Sequence, residues 1–251
     1  MSSEGWPAGV GLITLAGTDS TNAEAARRLS ALSPPVWIMA HRQDAGRGRQ
    51  GRRWQTLPGN LAATLVIRAA MPAAGQARYS FVAALAVHDA LVAATGRAEA
   101  FALKWPNDVL MQGGKLAGIL LESLGPAGRH LAIGVGVNLA AAPALARARG
   151  APPPVALAGS GGPLLSPEDF LPLLARAMLR REAEFAAGGF APIRAAWLAR
   201  AAGQGAEITA RTGAGAVSGR FEGVDETGAL LMATAAGCRR IAAADVFLAE
   251  G

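Results

Sequence analysis

Among 24 Lys and Arg residues only two are lysines, Lys104 and Lys115, and both lie in KWPNDVLMQGGKLAG, Lys104–Gly118. Asparagine is nearly as scarce, at Asn22, Asn60, Asn107 and Asn138. A GC-rich codon bias that exchanges Lys and Asn for Arg, Ala and Gly explains the scarcity but not the placement. Arginine replaces lysine well as a solvated charge and poorly where a compact ammonium is needed, so Lys104 and Lys115 are candidates for chemistry. A second cluster is HRQDAGRGRQGRRW, His41–Trp54, where five cations fall between Arg42 and Arg53. Its three glycines let backbone approach a ligand, and its arginines offer forked donors for phosphate or carboxylate. Charges this dense repel, which predicts a loop that stays mobile until an anion arrives. A solvated basic loop and an Arg/Gly nucleic-acid-binding module compete with this reading. The motif is unrepeated and lies between strands, which weakens the nucleic-acid reading. Asp19-Ser20-Thr21-Asn22 opens a helix, with Thr21-x-x-Glu24 as a capping box. An ordinary cap accounts for it; the alternative is a polar ligand at the helix N-terminus.

The elements that must hold these clusters follow from periodicity. Strands are predicted at Val10–Ala16, Val36–Ala40, Leu61–Arg68, Phe101–Trp105 and Leu131–Leu139. Val109–Met111 and Lys115–Glu122 flank Gln112-Gly113-Gly114 as a hairpin. The glycines of Leu131–Leu139 let something lie flat against that strand. Helices are predicted from Asp19 to about Leu32, over Gln76–Thr95, from Ser166 to about Ala187, and over Ile193–Ala202. Ala140–Ser166 reads as irregular. After Gly203-Gln204-Gly205, short alternating runs over Ala206–Leu248 predict a small β-barrel, with Asp225–Gly228 a hairpin turn and nothing more. The class is α+β, a mixed sheet with packed helices.

Composition narrows the function. The longest uncharged stretches, such as Gly150–Pro167, are broken by Pro, Gly and Ser, and no secretory signal is visible, so a cytoplasmic protein without a membrane partner is expected. Cys238 stands alone and fits a reducing cytosol. Three His and one Cys make no ordinary zinc site, and neither a Ser–His–Asp context nor a Walker loop is present.

With DSTNAEA (Asp19–Ala25), QDAGRGRQGRRW (Gln43–Trp54), GNL (Gly59–Leu61), KWPND (Lys104–Asp108), GKLAGILLE (Gly114–Glu122) and IGVGVN (Ile133–Asn138), the chain resembles the biotin protein ligases in motif order and spacing over nearly its whole length. The resemblance implies a catalytic domain over 1–203, a mixed β-sheet with packed helices, and an SH3-like barrel over 204–251. It implies ATP-dependent activation of biotin to biotinyl-5′-AMP, then transfer to a lysine of a biotin carboxyl carrier protein. Carried over by motif, Ser20, Thr21, Asn22 and Gln43 bind the ureido ring of biotin. Arg47, Gly48 and Arg49 close over biotin and phosphate, Trp54 supports that loop, and Lys115 bridges the biotin carboxylate and α-phosphate. Catalysis is thereby assigned to Lys115, Arg47 and Arg49. Asn107 and Asp108 orient Mg²⁺ or the incoming lysine, with Asp108 the metal ligand, and Gly118 and Asn138 complete the substrate set. ATP, Mg²⁺, biotin and the carrier domain are the implied ligands; nucleic acid is not, and homodimerisation is left open. Roughly eighteen residues precede the first motif, too few for a helix-turn-helix, so operator binding is not expected. Three departures stand out. WQTLPGN is one residue shorter than the family pattern, Pro152-Pro153-Pro154-Val155 lies where relatives place an aromatic near the adenine, and His41 replaces an acid. A lipoate- or octanoyl-protein ligase or transferase is the alternative within the same fold.

Overall fold

The computed structural model describes residues 5–69, 71–144, 150–213 and 215–248. Chain order is β1 Gly11–Leu15, α1 Thr21–Arg28, β2 Val36–Ala40, β3 Leu61–Arg68, α2 Ala73–Gln76, α3 Tyr79–Thr95, β4 Phe101–Lys104, β5 Asp108–Met111, β6 Gly114–Leu124, β7 His130–Val137, α4 Pro167–Gly188 and α5 Phe190–Leu198. A second group follows: β8 Glu207–Thr212, β9 Gly215–Val224, β10 Leu230–Thr234, β11 Gly237–Ile241 and β12 Asp245–Leu248. The first seven strands form one sheet in the order β1-β2-β3-β7-β6-β5-β4. Only β1 and β2 are parallel, joined through α1; the other neighbours are antiparallel. This is the expected α+β class. No helix among the described residues is long and apolar enough to cross a membrane.

Helix α3 is buried on almost every side from Tyr79 to Leu91, because the sheet covers one flank and α4 and α5 the other. Phe81 packs edge-on against Phe190 and Trp197, with ring centroids 5.2 and 5.1 Å away. The helix stops at Gly96, whose positive φ of 71° a residue with a Cβ adopts at a cost. Helix α4 starts as its sequence predicts: the Ser166 hydroxyl accepts from Asp169 N at 3.1 Å, with Pro167 next in line.

Helix α1 departs from expectation. Its N-cap is Ser20, which makes no side-chain capping bond, and regular helix ends at Arg28. Glu24 does not close a capping box; it pairs with Arg27 and Arg28. The first helical N–H, of Thr21, goes instead to Gln43 Oε1 at 2.8 Å. The helix start is thus tied to the arginine-rich loop.

The second sheet runs β11-β10-β9-β8-β12, all antiparallel. Its Asp225–Gly228 turn is more than a connection. Asp225 Oδ1 accepts from Thr227 N at 2.8 Å and Ala229 N at 2.9 Å, and Arg240 pairs with the same carboxylate. The turn so fixed offers Gly228 O to Trp105 Nε1 at 3.0 Å, and a Cβ on Gly228 would lie 2.8 Å from Phe81. It docks the small sheet onto the KWPND strand. The connection between α5 and β8 is tied to strand β4 as well, with Leu103 N donating to Arg200 O and Ala202 N to Leu103 O, each at 2.8 Å.

Candidate active site

A cavity of about 260 Å³ opens between the large sheet and β12. Its floor depends on a bulge. Strand pairing runs Leu110↔Lys115 and then Val109↔Ala117, so β6 carries one extra residue at Leu116. Leu116 and Ala117 both enter the hydrophobic core. The usual alternation is broken, which re-aims the flanking side chains, a recurrent use of bulges. Lys115 and Gly118, three apart, therefore share the cavity face: a Cβ on Gly118 would sit 3.5 Å from Lys115 Nζ and 3.1 Å from the Trp54 ring. The glycines of β7 do have something flat against them, and it belongs to the chain itself. A Cβ on Gly136 would lie 2.3 Å from Trp54 Cε2, and one on Gly134 would lie 2.5 Å from Asn22 Oδ1.

At one end of the cavity the lining side chains Ser20, Thr21, Asn22 and Gln43 are polar and uncharged, and the last three are held by one another, by Thr64 and by the Glu122 carboxylate. Asn22 Nδ2 donates to Glu122 Oε2 at 2.6 Å, and its Oδ1 lies 2.6 Å from the buried Thr64 hydroxyl. Thr64 Oγ1 is also 2.8 Å from Thr21 Oγ1, so its single proton serves one of the two. Gln43 Oε1 accepts from Thr21, while Gln43 Nε2 donates to Thr56 Oγ1 at 3.1 Å, inside the shortened WQTLPGN segment. This end suits a neutral, polar ligand group.

The centre is charged. Lys115 Nζ is 2.7 Å from Asp108 Oδ1 and Lys104 Nζ is 3.8 Å from Asp108 Oδ2. The shorter contact is an ion pair without hydrogen-bond angle, since Asp108 Oδ1 has no hydrogen-bond partner. Burial pushes the Lys104 ammonium below its ordinary pKa, and Asp108 partly opposes this. Asn107 is a staple: Nδ2 donates to Ile119 O at 2.7 Å, and Oδ1 accepts from Arg49 Nη1 at 3.4 Å. Asn138 fastens the proline-rich segment, donating from Nδ2 to Val155 O at 3.0 Å. That segment runs beside β6, with Lys115 N bonded to Pro153 O at 2.7 Å.

The residues singled out by motif all line this one cavity: Ser20, Thr21, Asn22 and Gln43 at the polar end, the Arg47–Arg49 loop, Trp54, and the Lys115–Asp108 centre with Gly118, Asn107 and Asn138. Two models of known families match the chain: the Biotin/lipoate A/B protein ligase family over residues 15–138, and the Biotin protein ligase C terminal domain over 205–249. A biotin--[acetyl-CoA-carboxylase] ligase of Paracoccus denitrificans is 54% identical over 93% of this chain and 98% of its own length. The chain belongs to the biotin protein ligase family. The bifunctional ligase/repressor BirA of Bacillus subtilis is 30% identical over 84% of this chain and 65% of its own. Among solved structures, the biotin protein ligase from Aquifex aeolicus in complex with biotin and ATP superposes with a TM-score of 0.78 at 25% identity, covering 95% of this chain and 99% of that one.

In this ligase the arginine-rich loop is a hydrogen-bonded ribbon rather than an uncompensated charge cluster. Gly48 N donates to Arg52 O at 2.6 Å and Trp54 N to Gly46 O at 2.9 Å. Four of its arginines meet acceptors: Arg42 on Asp44 (2.9 Å), Arg47 on Glu122 (3.4 Å), Arg52 on Asp245 (2.6 Å), and Arg49 on Ala244 O (3.4 Å) besides Asn107. His41 faces an acid, Glu168 on α4 at 3.4 Å.

Sequence reasoning missed several cavity neighbours. Thr64 left a signal as the one hydroxyl within the apolar run Leu61–Ile67. Glu122 sat inside a quoted motif, whereas Asp245 and Phe247, which line the cavity from β12, left none. Among the described residues no group of three or more His, Cys, Asp or Glu could hold a metal. Asp108, named as a magnesium ligand, has a lysine before each oxygen. The protein's own side chains do not fit a resident magnesium ion there.

Proposed function

We propose that this chain couples ATP to the attachment of biotin to a carrier-protein lysine, the 1–203 region housing the chemistry and the 204–251 barrel closing one wall. The observation that supports it most is the bulge, which sets Lys115 on the face of the cavity that the Ser20–Asn22 end and the Arg47–Arg49 loop also line. A ligand with a urea-like ring at one end and a carboxylate at the other matches that polarity. In the first step a biotin carboxylate oxygen forms a bond to the α-phosphorus while the bond to pyrophosphate breaks, giving biotinyl-5′-AMP. Two anions must meet, so fixed positive charge where negative charge develops lowers the barrier. Lys115 bridges carboxylate and α-phosphate, and Arg47 and Arg49 neutralise the remaining oxygens. Ser20, Thr21, Asn22 and Gln43 hold the ureido ring, and Gly118 leaves room for the chain beside Trp54. In the second step the carrier amine attacks the acyl carbonyl, AMP leaves, and one proton is released; Asn107 and Asp108 orient that amine. Magnesium enters as MgATP, the substrate, not as a resident ion of Asp108. The carrier domain is the macromolecular partner and the cytoplasm the compartment, consistent with lone Cys238.

Incubation with labelled biotin, MgATP and a biotin carboxyl carrier domain is the test. One labelled carrier lysine is expected, together with biotin-dependent ATP–pyrophosphate exchange. Equal labelling by lipoate, or none by biotin, rejects the assignment.

A further inference from the structure

The proline-rich segment supplies no aromatic ring for a nucleobase, and the cavity has two aromatic residues in its lining, Trp54 and Phe247. Trp54 is engaged by the protein: its ring rests on Gly136 and Gly118, with Lys115 Nζ 5.8 Å from a ring centroid. Phe247 comes from the barrel. On β12, Val246 is 4% exposed and packs in the core. All three of Asp245, Val246 and Phe247 line the cavity, and because side chains alternate along a strand Asp245 and Phe247 lie on the face opposite the buried Val246 side chain. Arg211, which does not line it, covers one side of the Phe247 ring at 4.4 Å. The ring meets the cavity with what Arg211 leaves open. The same cavity is also lined by the small or apolar Pro143, Ala151 and Pro152. Gly150 sits close enough that a Cβ there would be 3.4 Å from Phe247 Cδ1. The start of the strand is held to the arginine-rich loop, by Asp245 on Arg52 at 2.6 Å and by the O of Ala244, the residue before it, on Arg49 at 3.4 Å.

We propose that Phe247 is the nucleobase wall of the site, so that the barrel supplies the purine contact while the large sheet supplies the charged centre. This rests on the ligase reading for the identity of the nucleotide, ATP. An aromatic ring lining the same cavity as Arg49 and Arg52 suits a purine joined to a polyphosphate. Asp245 is a positioning residue in this arrangement: it holds Arg52, and with it the loop, against the wall.

The experiment compares wild type with Phe247→Leu, which keeps apolar volume but loses the π-face, and with Phe247→Trp, which keeps it. Stacking of a base on an aromatic side chain is worth roughly five- to a hundredfold in affinity. Phe247→Leu is therefore expected to raise KM for ATP in biotin-dependent pyrophosphate exchange by about that factor, KM for biotin staying within twofold. Phe247→Trp is expected to restore the ATP value, and melting temperatures to agree. An ATP KM within twofold of wild type in Phe247→Leu overturns the proposal. So does an equal rise in KM for biotin, or failure of Phe247→Trp to restore ATP affinity. Calorimetric titration of MgATP without biotin, on the same three proteins, reads the wall by itself. Wild type that binds MgATP but never exchanges with biotin sinks the ligase reading while leaving this comparison intact.

Discussion

Lysine and arginine carry the same charge, so the case for Lys115 rests on shape. Its ammonium is packed above Gly118 and beside Trp54 and touches Asp108 at 2.7 Å. A guanidinium is broader and holds its donors in one plane, so it cannot sit between two closing oxygens in the same way. Losing one donor of this kind typically costs on the order of 10²–10³ in rate. Lys115→Arg should slow pyrophosphate exchange by about that factor while biotin binding, read by titration, persists; a wild-type rate would reduce Lys115 to a plain cation. Lys104 behaves differently because it is only 6% exposed and burial disfavours its charge. Asp108 keeps Lys115 as partner when Lys104 is removed, so no carboxylate is stranded. Removing one member of a buried charge pair is costly because it leaves the other uncompensated, and here Lys115 still compensates Asp108. Lys104→Met should melt no lower than wild type yet exchange pyrophosphate more slowly; a drop of several degrees would make Lys104 a structural cation. Both lysines were singled out by their scarcity and placement, and the structure sets both against one carboxylate, Asp108. Their shared carboxylate could be named from KWPND but not assigned to ammonium contact, because that depends on strand pairing.

Strands β6 and β7 form the floor, and their glycines leave space that other residues fill. Gly136→Ala would put a methyl 2.3 Å from the Trp54 indole. The ring is rigid and must move, which overpacks the site at a cost of about 1–3 kcal/mol. The strand itself should survive, since Gly136 is not among the positive-φ residues. Weaker biotin and ATP affinity with a modestly lower melting temperature is expected; unchanged affinity for both would mean Trp54 only fills space. The glycine pattern of IGVGVN announced a flat surface but could not say that Trp54 and Asn22 cover it. The bulge escaped detection for a plainer reason: Lys-Leu-Ala-Gly has too few large side chains for a skipped beat in the alternation to register. The arginine-rich ribbon was expected to be uncompensated because its long-range acids, Glu122 and Asp245, lie far along the chain. Charge density within a window says nothing of such partners.

The two sheets act together through one turn. Asp225 organises it, and although burial would raise its carboxyl, bonds from Thr227, Arg240 and the Ala229 N–H outweigh this and hold it at about 2. A carboxylate depressed in the folded state stabilises fully above its ordinary value near 3.8 and loses that contribution as pH falls through about 2. Docking of the barrel should therefore weaken over that acid window, and Asp225→Asn should remove this part of the pH dependence, as calorimetric melts between pH 2 and 5 would show. At neutral pH, Asp225→Ala strands the turn N–H groups and should lower the melting temperature by several degrees, since each hydrogen bond contributes roughly 1 kcal/mol. An unchanged melt would mean that the barrel is held elsewhere. Barrel strands were evident from alternation, but the docking turn was read as a mere hairpin because nothing local marks Gly228 O as the acceptor for Trp105. The positions of the tryptophans carry one more consequence. Of five, Trp37, Trp105 and Trp197 are sealed in the interior, Trp6 is bonded to Val10 O, and Trp54 alone faces the cavity. Its indole shares a glycine shelf with the very amine that a bound carboxylate would draw away. The protein thus carries its own optical reporter: emission excited at the indole band should shift in intensity as the site fills, and the shift should vanish in Trp54→Phe without any label being attached.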